Sequence, residues 1–152
     1  MKFEIVNLLV IGLVFGTIFF SSCIMNEPHY CKDFNSLARE EKEELVRNNS
    51  IETNFALLHC AGYTEGGPEI ADVPIIEGGE ASVPFLISKL DSNDENEQER
   101  AISLLWRIDA RQKLQNRQAI LTKIELTINR MKDELNRKYS LERLNEMKDP
   151  DM

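Results

Sequence analysis

Outside the N-terminus, the densest apolar pattern lies between residues 77 and 108, and it predicts two helices joined by an acidic turn. In the first helix, apolar residues recur at helical spacing, at Val83, Leu86, Ile87 and Leu90. The second helix repeats this spacing, at Ala101, Ile102, Leu104, Leu105 and Ile108. Stripes of this kind face a core, so we expect this hairpin to lie at the centre of the protein.

Shorter helical patterns come before the hairpin. Residues 33–47 and 51–60 predict two helices with apolar positions at helical spacing. Residues 69–76 predict a short apolar helix that contains Pro74 and ends at the two glycines that follow Glu77. We expect these segments to cover one side of the hairpin.

The chain behind the hairpin has the composition of one long helix, over residues 112–139. Apolar residues recur there every seven residues, at Leu114, Leu121, Ile128 and Leu135, with Ile124 and Met131 between them. Such a seam predicts contact with another helix. Because Arg117 and Lys138 occupy seam positions at either end, packing on the domain's own hairpin is favoured over pairing with a second chain.

The composition agrees with a helical protein, since the chain has only 7 Gly and 5 Pro among 152 residues and many Leu, Ile, Glu, Lys and Arg. This length has room for one domain, which we expect at residues 33–148. We therefore predict an all-α fold in a small helical domain.

The hairpin carries two short motifs that are typical of one family. Its first helix reads Val83-Pro84-Phe85-Leu86-Ile87 and continues to Leu90-Asp91, and its second contains Glu99-Arg100-Ala101 and Leu104-Leu105. Residues 79–108 thus resemble one HEAT-type helical repeat, in which a VPxLIxxLxD helix precedes an RxxAxxxL helix. No second good copy occurs, which excludes a long solenoid. The resemblance implies a HEAT-like helical stack of the α–α superhelix type, which binds proteins rather than performing chemistry.

The N-terminus predicts a signal segment. Residues 5–20 are almost wholly apolar, and about 16 residues suit the apolar part of a signal peptide better than a membrane span, which needs about 20. They lead into Phe20-Ser21-Ser22-Cys23, which resembles a bacterial lipobox, where small residues precede the Cys that becomes the lipidated first residue of the mature chain. A retained anchor helix and an ordinary secretory signal are the alternative interpretations.

The lipobox resemblance implies a lipoprotein of the cell envelope. Residues 1–22 would be the signal peptide, Cys23 would carry the lipid and residues 23–32 would form a short tether. Lipidation at Cys23 would hold the folded part on a membrane at its extracytoplasmic side. Ile24, rather than Asp, follows Cys23, and in a Gram-negative cell this favours the outer membrane.

All three interpretations place the folded part outside the cytoplasm, which bears on Cys31 and Cys60. In an oxidising compartment two remaining thiols more often pair than stay free, so we predict a Cys31–Cys60 disulfide. His29 and His59 beside these cysteines also suggest zinc. The adjacent pair His59-Cys60 is poor ligand spacing, however, because neighbouring side chains diverge on a helix or strand. We expect no metal and no cofactor.

The formal net charge of −8 is unevenly distributed along the chain. Residues 27–99 contain 17 acidic and 5 basic residues, whereas residues 100–152 contain 12 basic and 8 acidic residues. The acidic total argues against a nucleic-acid partner. The two halves could neutralise each other within the fold, which is the favoured interpretation, or the front half could present an acidic face to a basic partner.

The sequence contains no recognisable catalytic motif, neither HExxH nor GxSxG, and we expect that the protein is not an enzyme. Glu77 and Glu80 flank two glycines and could form a carboxylate pair, although two carboxylates in a turn are usually solvated. Trp106 is either a core residue or an exposed anchor of a binding surface, where Trp is enriched. Trp106, Glu77 and Glu80 are therefore the candidate binding-surface residues.

Three function hypotheses follow from these observations. The first is a membrane-tethered, extracytoplasmic helical module that binds another protein. The second is an acidic inhibitor or immunity-type lipoprotein that neutralises a basic toxin or enzyme. The third is a small hydrolase-like enzyme with an unrecognised site. The lipobox-like motif, the HEAT-like hairpin and the missing catalytic set together favour the first.

Overall fold

The computed structural model describes residues 29–60 and 67–149. The predictions for the signal segment, for Cys23 and for most of the tether lie outside these residues. Within them the chain is all-helical, as predicted, with eight α-helices and no strand. None of the helices in this part of the chain is long and apolar enough to cross a membrane.

The helices are numbered here in chain order: α1 His29–Ser36, α2 Arg39–Asn48, α3 Ile51–Leu57, α4 Gly67–Glu77, α5 Val83–Lys89, α6 Glu95–Arg111, α7 Arg117–Ile128 and α8 Glu134–Lys148. A 3₁₀ turn at Gly79–Ser82 leads directly into α5. Short polar side chains cap α3 and α6: Ser50 accepts from the backbone N–H of Thr53 at 3.3 Å, and Asp94 accepts from that of Asn96 at 2.9 Å. Each cap satisfies a donor that has no partner within the first turn of its helix.

The helices alternate between two layers. α4 contacts α6 and α6 contacts α8, so these helices lie side by side, with α2 next to α4. α3, α5 and α7 form the other layer. There the rings of Phe55 and Phe85 meet edge to face at 5.4 Å between centroids, and Thr127 Oγ1 donates to the carbonyl of Leu90 at 3.4 Å. We call α2, α4, α6 and α8 the even-helix layer.

The core lies between the layers and centres on α6. Ala101, Ile102, Leu105 and Ile108 of this helix are all 0% exposed, as are Leu86 and Leu90 of the α5 segment. Apolar side chains removed from water to this extent supply most of the driving force for folding. The hairpin predicted from the sequence therefore lies at the centre of the core.

The prediction of a single helix over residues 33–47 is wrong. α1 ends at Ser36 and α2 begins at Arg39, and at this break the backbone N–H of Ala38 donates to Glu41 Oε2 at 2.9 Å. Glu41 thereby satisfies a donor at the N-terminus of α2 and stabilises a new helix start. The break allows α1 to pack at the end of α3, where Cys31 is bonded to Cys60.

The prediction of one long helix over residues 112–139 is also wrong, because α7 and α8 are separate helices. In the turn between them, the carboxylate of Glu95 accepts from the backbone N–H groups of Lys132 and Asp133, at 2.9 and 2.8 Å. Asp133 in turn caps α8 by accepting from the N–H of Asn136 at 2.8 Å. The group that satisfies the freed backbone donors thus comes from α6, far away in the sequence.

The seven-residue seam accordingly ends at the turn. Its members up to that point are buried against the rest of the domain: Leu114, Leu121, Ile124, Ile128 and Met131. Leu135, which would continue the seam in an unbroken helix, is 57% exposed. The apolar residues of α7 pack on the domain's own core, which is the arrangement that the sequence favoured.

Candidate interaction surface

The even-helix layer bears three adjacent open grooves. They lie between α2 and α4 (about 480 Å³), between α4 and α6 (about 300 Å³) and between α6 and α8 (about 380 Å³). Val73 lines the first two grooves, and Trp106 and Ala110 line the second and third. The grooves therefore adjoin one another at these shared residues, and we call the surface that they form the even-helix face.

Val73 reaches the surface because of its position on α4. Ala71 and Ile75 are fully buried, whereas Val73 between them is 41% exposed. Pro74 stands inside the same helix and has no N–H to donate to the carbonyl of Ile70. Ile70, Val73 and Pro74 all line the α2–α4 groove, so the α4 side of this groove is apolar.

Trp106 separates the α4–α6 groove from the α6–α8 groove. Its side chain is half-buried and packs against the core. The guanidinium carbon of Arg143, from α8, lies 4.9 Å from the centroid of the indole ring, which is cation–π geometry. The sequence left open whether Trp106 is a core residue or an exposed anchor. In the structure Trp106 contacts the core and also lines two grooves.

Two arginines line the α4–α6 groove. Arg107 forms an ion pair with Asp72, whose carboxylate side chain is 9% exposed, and Arg111 at the end of α6 is exposed. The complete lining among the described residues is Val73, Ile76, Trp106, Arg107, Ala110 and Arg111. It holds two guanidinium groups and no carboxylate.

The two candidate carboxylates of the sequence have different surroundings. Glu77 is exposed at the end of α4 and lines the α2–α4 groove together with Arg39, Glu43 and Arg47. Glu80 instead accepts a hydrogen bond of 2.6 Å from the backbone N–H of Gln115 in the turn after α6. Glu77 therefore belongs to the even-helix face, and Glu80 stabilises a turn.

A buried carboxylate fixes the end of the α6–α8 groove. Asp109 is 2% exposed and accepts from the backbone N–H of Leu114 at 3.1 Å and from Arg117 Nε at 3.0 and 3.1 Å. Asp109 lines the groove with Lys113, whose ammonium lies 3.7 Å from the same carboxylate. The turn between α6 and α7, and with it this part of the even-helix face, is held by charge-assisted hydrogen bonds.

A few ion pairs connect the acidic front half of the chain (residues 27–99) with the basic rear half (residues 100–152). Three pairs connect them in the described part of the chain: Asp72–Arg107, Asp91–Lys123 and Asp91–Arg130. Helix α2 takes no part in these ion pairs. Glu40, Glu41 and Glu44 on this helix are exposed, and none of them pairs with a basic residue of the rear half among the described residues. An acidic helix surface therefore remains in contact with solvent.

Cys31 and Cys60, the two cysteines expected to pair, are joined by a disulfide, and each is 1% exposed. The bond ties α1 to the end of α3. His59 lies next to this bond, and no group of His, Cys, Asp and Glu in residues 29–60 and 67–149 is arranged to hold a metal ion.

His59 gives the fold a specific pH dependence. Burial is the main cause that lowers its pKa, followed by the positive charge of Arg100 and, more weakly, of Lys89, whereas Asp94 and Glu97 act in the opposite direction. As the pH falls below about 6.5, the unfolded chain therefore binds a proton on this imidazole before the folded chain does. We expect the free energy of unfolding to decrease on acidification in that window.

The variant His59→Gln should lose this part of the pH dependence. Urea unfolding of both proteins at pH values between about 7.5 and 5.5 measures it, since the stability difference between them should change as the imidazole titrates. A difference that stays constant across the window would show that the folded and unfolded states titrate alike at this residue.

The sequence indicated Trp106 and Glu77 but not their neighbours on the even-helix face. Val73 could have been found, because it stands four residues before Glu77 and so shares its flank of the helix. The approach of Arg143 to Trp106 depends on the packing of α8 against α6, and no local pattern shows it.

Comparisons with protein-family models, with curated proteins and with solved structures found no match to this chain. The function proposed below is therefore derived from the sequence and from the geometry of the even-helix face.

Proposed function

We propose that this chain is a membrane-tethered, extracytoplasmic helical module that binds another protein through its even-helix face. The observation that carries the proposal is the adjacency of three grooves, which share Val73, Trp106 and Ala110, on a two-layer helical scaffold. Apolar residues rimmed by charged ones are typical of protein-binding surfaces, and Trp and Arg are enriched at the centres of interfaces.

The lipobox-like motif supports the tether. A lipidated Cys23 with several acyl chains would hold the domain on a membrane more firmly than one chain could. Of the predicted tether at residues 23–32, residues 29–32 belong to α1, so the remaining segment at residues 23–28 would keep the domain close to that membrane. If the cell is Gram-negative, Ile24 favours the outer membrane as the site of attachment.

Replacing Cys23 by Ala tests the tether. We expect the variant either to be released from membranes or to remain at the size of the unprocessed chain, because the thiol that receives the lipid is missing. Immunoblotting of membrane and soluble fractions measures both outcomes. Met25→Ala, two residues after Cys23, serves as the matched control and should remain membrane-bound. Unchanged size and fractionation of Cys23→Ala would contradict lipidation.

A pair of charge insertions tests the binding face. Val73→Asp places a carboxylate at the junction of two grooves, whereas Leu126→Asp places one at an exposed apolar residue of α7, in the opposite layer (56% exposed, against 41% for Val73). Burying an additional charge in the apolar part of an interface costs free energy, so Val73→Asp should reduce capture of the partner at least about tenfold. Quantitative pull-down from envelope extracts measures this. Equal capture by the two variants would contradict the proposed face.

The second candidate, an acidic inhibitor or immunity-type lipoprotein, is favoured by one specific observation. The carboxylates of Glu40, Glu41 and Glu44 on α2 remain exposed instead of pairing with the basic half of the chain. A basic partner held there should dissociate as salt is raised and be lost in the double variant Glu40→Lys/Glu44→Lys. Capture that survives Val73→Asp and is lost in this double variant would support the second candidate over the first.

A further inference from the structure

We propose that the α4–α6 groove selects a partner segment in which a carboxylate stands next to a large apolar side chain. This inference rests on the proposed protein-binding role of the even-helix face and adds the chemistry of what that face accepts.

The charges that line the groove supply the first step. Arg107 is already paired with Asp72, and Arg111 is exposed and forms no ion pair with the described residues. The groove thus retains a guanidinium without a counterion on its own surface. Arg presents its donors in a rigid fork that fits a carboxylate with two parallel hydrogen bonds, which an amide or a cation cannot accept.

The apolar lining supplies the second step. Val73 is 41% exposed and Ala110 is exposed, while Ile76, at 6% exposed, closes the floor between α4 and α6. Trp106 forms the far wall. A volume of about 300 Å³ is at the lower limit for ligand pockets, so the groove suits one or two side chains of a partner.

A comparison with the two neighbouring grooves supplies the third step. Glu43 and Glu77 accompany the arginines of the α2–α4 groove, and Glu146 and Asp149 line the α6–α8 groove beside Lys113. Among the three grooves, the middle one alone has cations without acids in its lining. The guanidinium of Arg143 at the indole ring of Trp106 adds positive potential at its edge. Charge complementarity therefore favours an acidic ligand in the middle groove.

Trp106 is the only Trp in the sequence, so its fluorescence reports on this groove directly. The experiment titrates the detergent-solubilised full chain with three acetylated peptides that differ only at the centre, where they carry Leu-Glu, Leu-Gln or Leu-Lys. We expect the Leu-Glu peptide to change the emission of Trp106 and to bind at least about tenfold more tightly than the other two.

The variant Arg111→Glu should reverse this order, so that the Leu-Lys peptide binds best, and Arg137→Glu on α8 is the matched control that should leave the order unchanged. Circular dichroism checks that both variants fold. Equal affinities, a preference of the native protein for Leu-Lys, or no emission change with any peptide would overturn the inference.

Failure of the inference and failure of the proposed function give different results. If Val73→Asp abolishes partner capture while the peptides show no acidic preference, the even-helix face binds a protein of other chemistry and only the inference fails. If Val73→Asp leaves capture intact and no peptide changes the emission of Trp106, both fail.

Discussion

Replacing Cys31 by Ala is expected to lower the free energy of unfolding by about 3–4 kcal/mol in an oxidising buffer. The disulfide joins two residues 29 positions apart and therefore removes much of the freedom of the unfolded chain between them. Both sulfurs are buried, and Asn35 Nδ2 donates to the carbonyl of Cys60 at 3.4 Å, so the loss would also loosen α1 from the end of α3. Ala is preferred to Ser because a hydroxyl at this site would need a buried partner.

Redox conditions provide the control for this prediction. The native protein and Cys31→Ala should approach the same stability when both are unfolded in urea with a reductant, and Cys60→Ala should reproduce Cys31→Ala without one. A stability difference that persists undiminished under reduction would mean that the substitution acts through packing and not through the disulfide.

Asp109→Ala is expected to lower the free energy of unfolding by about 2–4 kcal/mol. The substitution removes the acceptor for the N–H of Leu114 and leaves the guanidinium of Arg117 without its carboxylate. The expected loss is below that of a fully buried pair because the side chain of Arg117 is 28% exposed and can be hydrated. The turn between α6 and α7 should loosen with it.

Asp133→Ala is the matched control for Asp109→Ala. Asp133 is an exposed cap of α8 and its loss should cost about 1 kcal/mol. Chemical denaturation of both variants measures the contrast. If Asp109→Ala were no more destabilising than Asp133→Ala, the buried carboxylate of Asp109 would contribute no more to the free energy of unfolding than an exposed helix cap does.

The helical fold and the centre of the core could be predicted because they follow from short-range apolar spacing. Ala101, Ile102, Leu105 and Ile108 lie on one side of a helix by sequence alone, and each is fully buried in the structure. The caps Ser50 and Asp94 are likewise local, since each bonds to a backbone N–H two or three residues later.

The turn between α7 and α8 could not be predicted, because its stabilising group is distant in sequence. Residues 112–139 contain neither Gly nor Pro, and their apolar repeat continues through the break. The carboxylate of Glu95, supplied by α6, satisfies the backbone donors that the break exposes. A long-range contact of this kind outweighs helix propensity, which contributes well under 1 kcal/mol per residue for most residues.

Of the residues that line the even-helix face, the sequence predicted only Trp106 and Glu77. A lone Trp on a Leu-rich helix indicates either core or interface, and its spacing does not distinguish them. The distinction depends on how α4 and α8 pack against α6, which leaves Val73 and Ala110 exposed in the groove that Trp106 also lines. The continuity of the face is thus a property of tertiary packing.

Site-specific photocross-linking in intact cells tests the central claim most directly. A photoreactive residue is placed at Ala110, which lines two grooves, or at Ala119, an exposed alanine on α7 in the opposite layer. The proposed function predicts a discrete cross-linked product from Ala110 that is absent from Ala119 and is lost when Val73→Asp is added. Cross-linking from Ala119 with none from Ala110 would contradict the even-helix face as the binding surface.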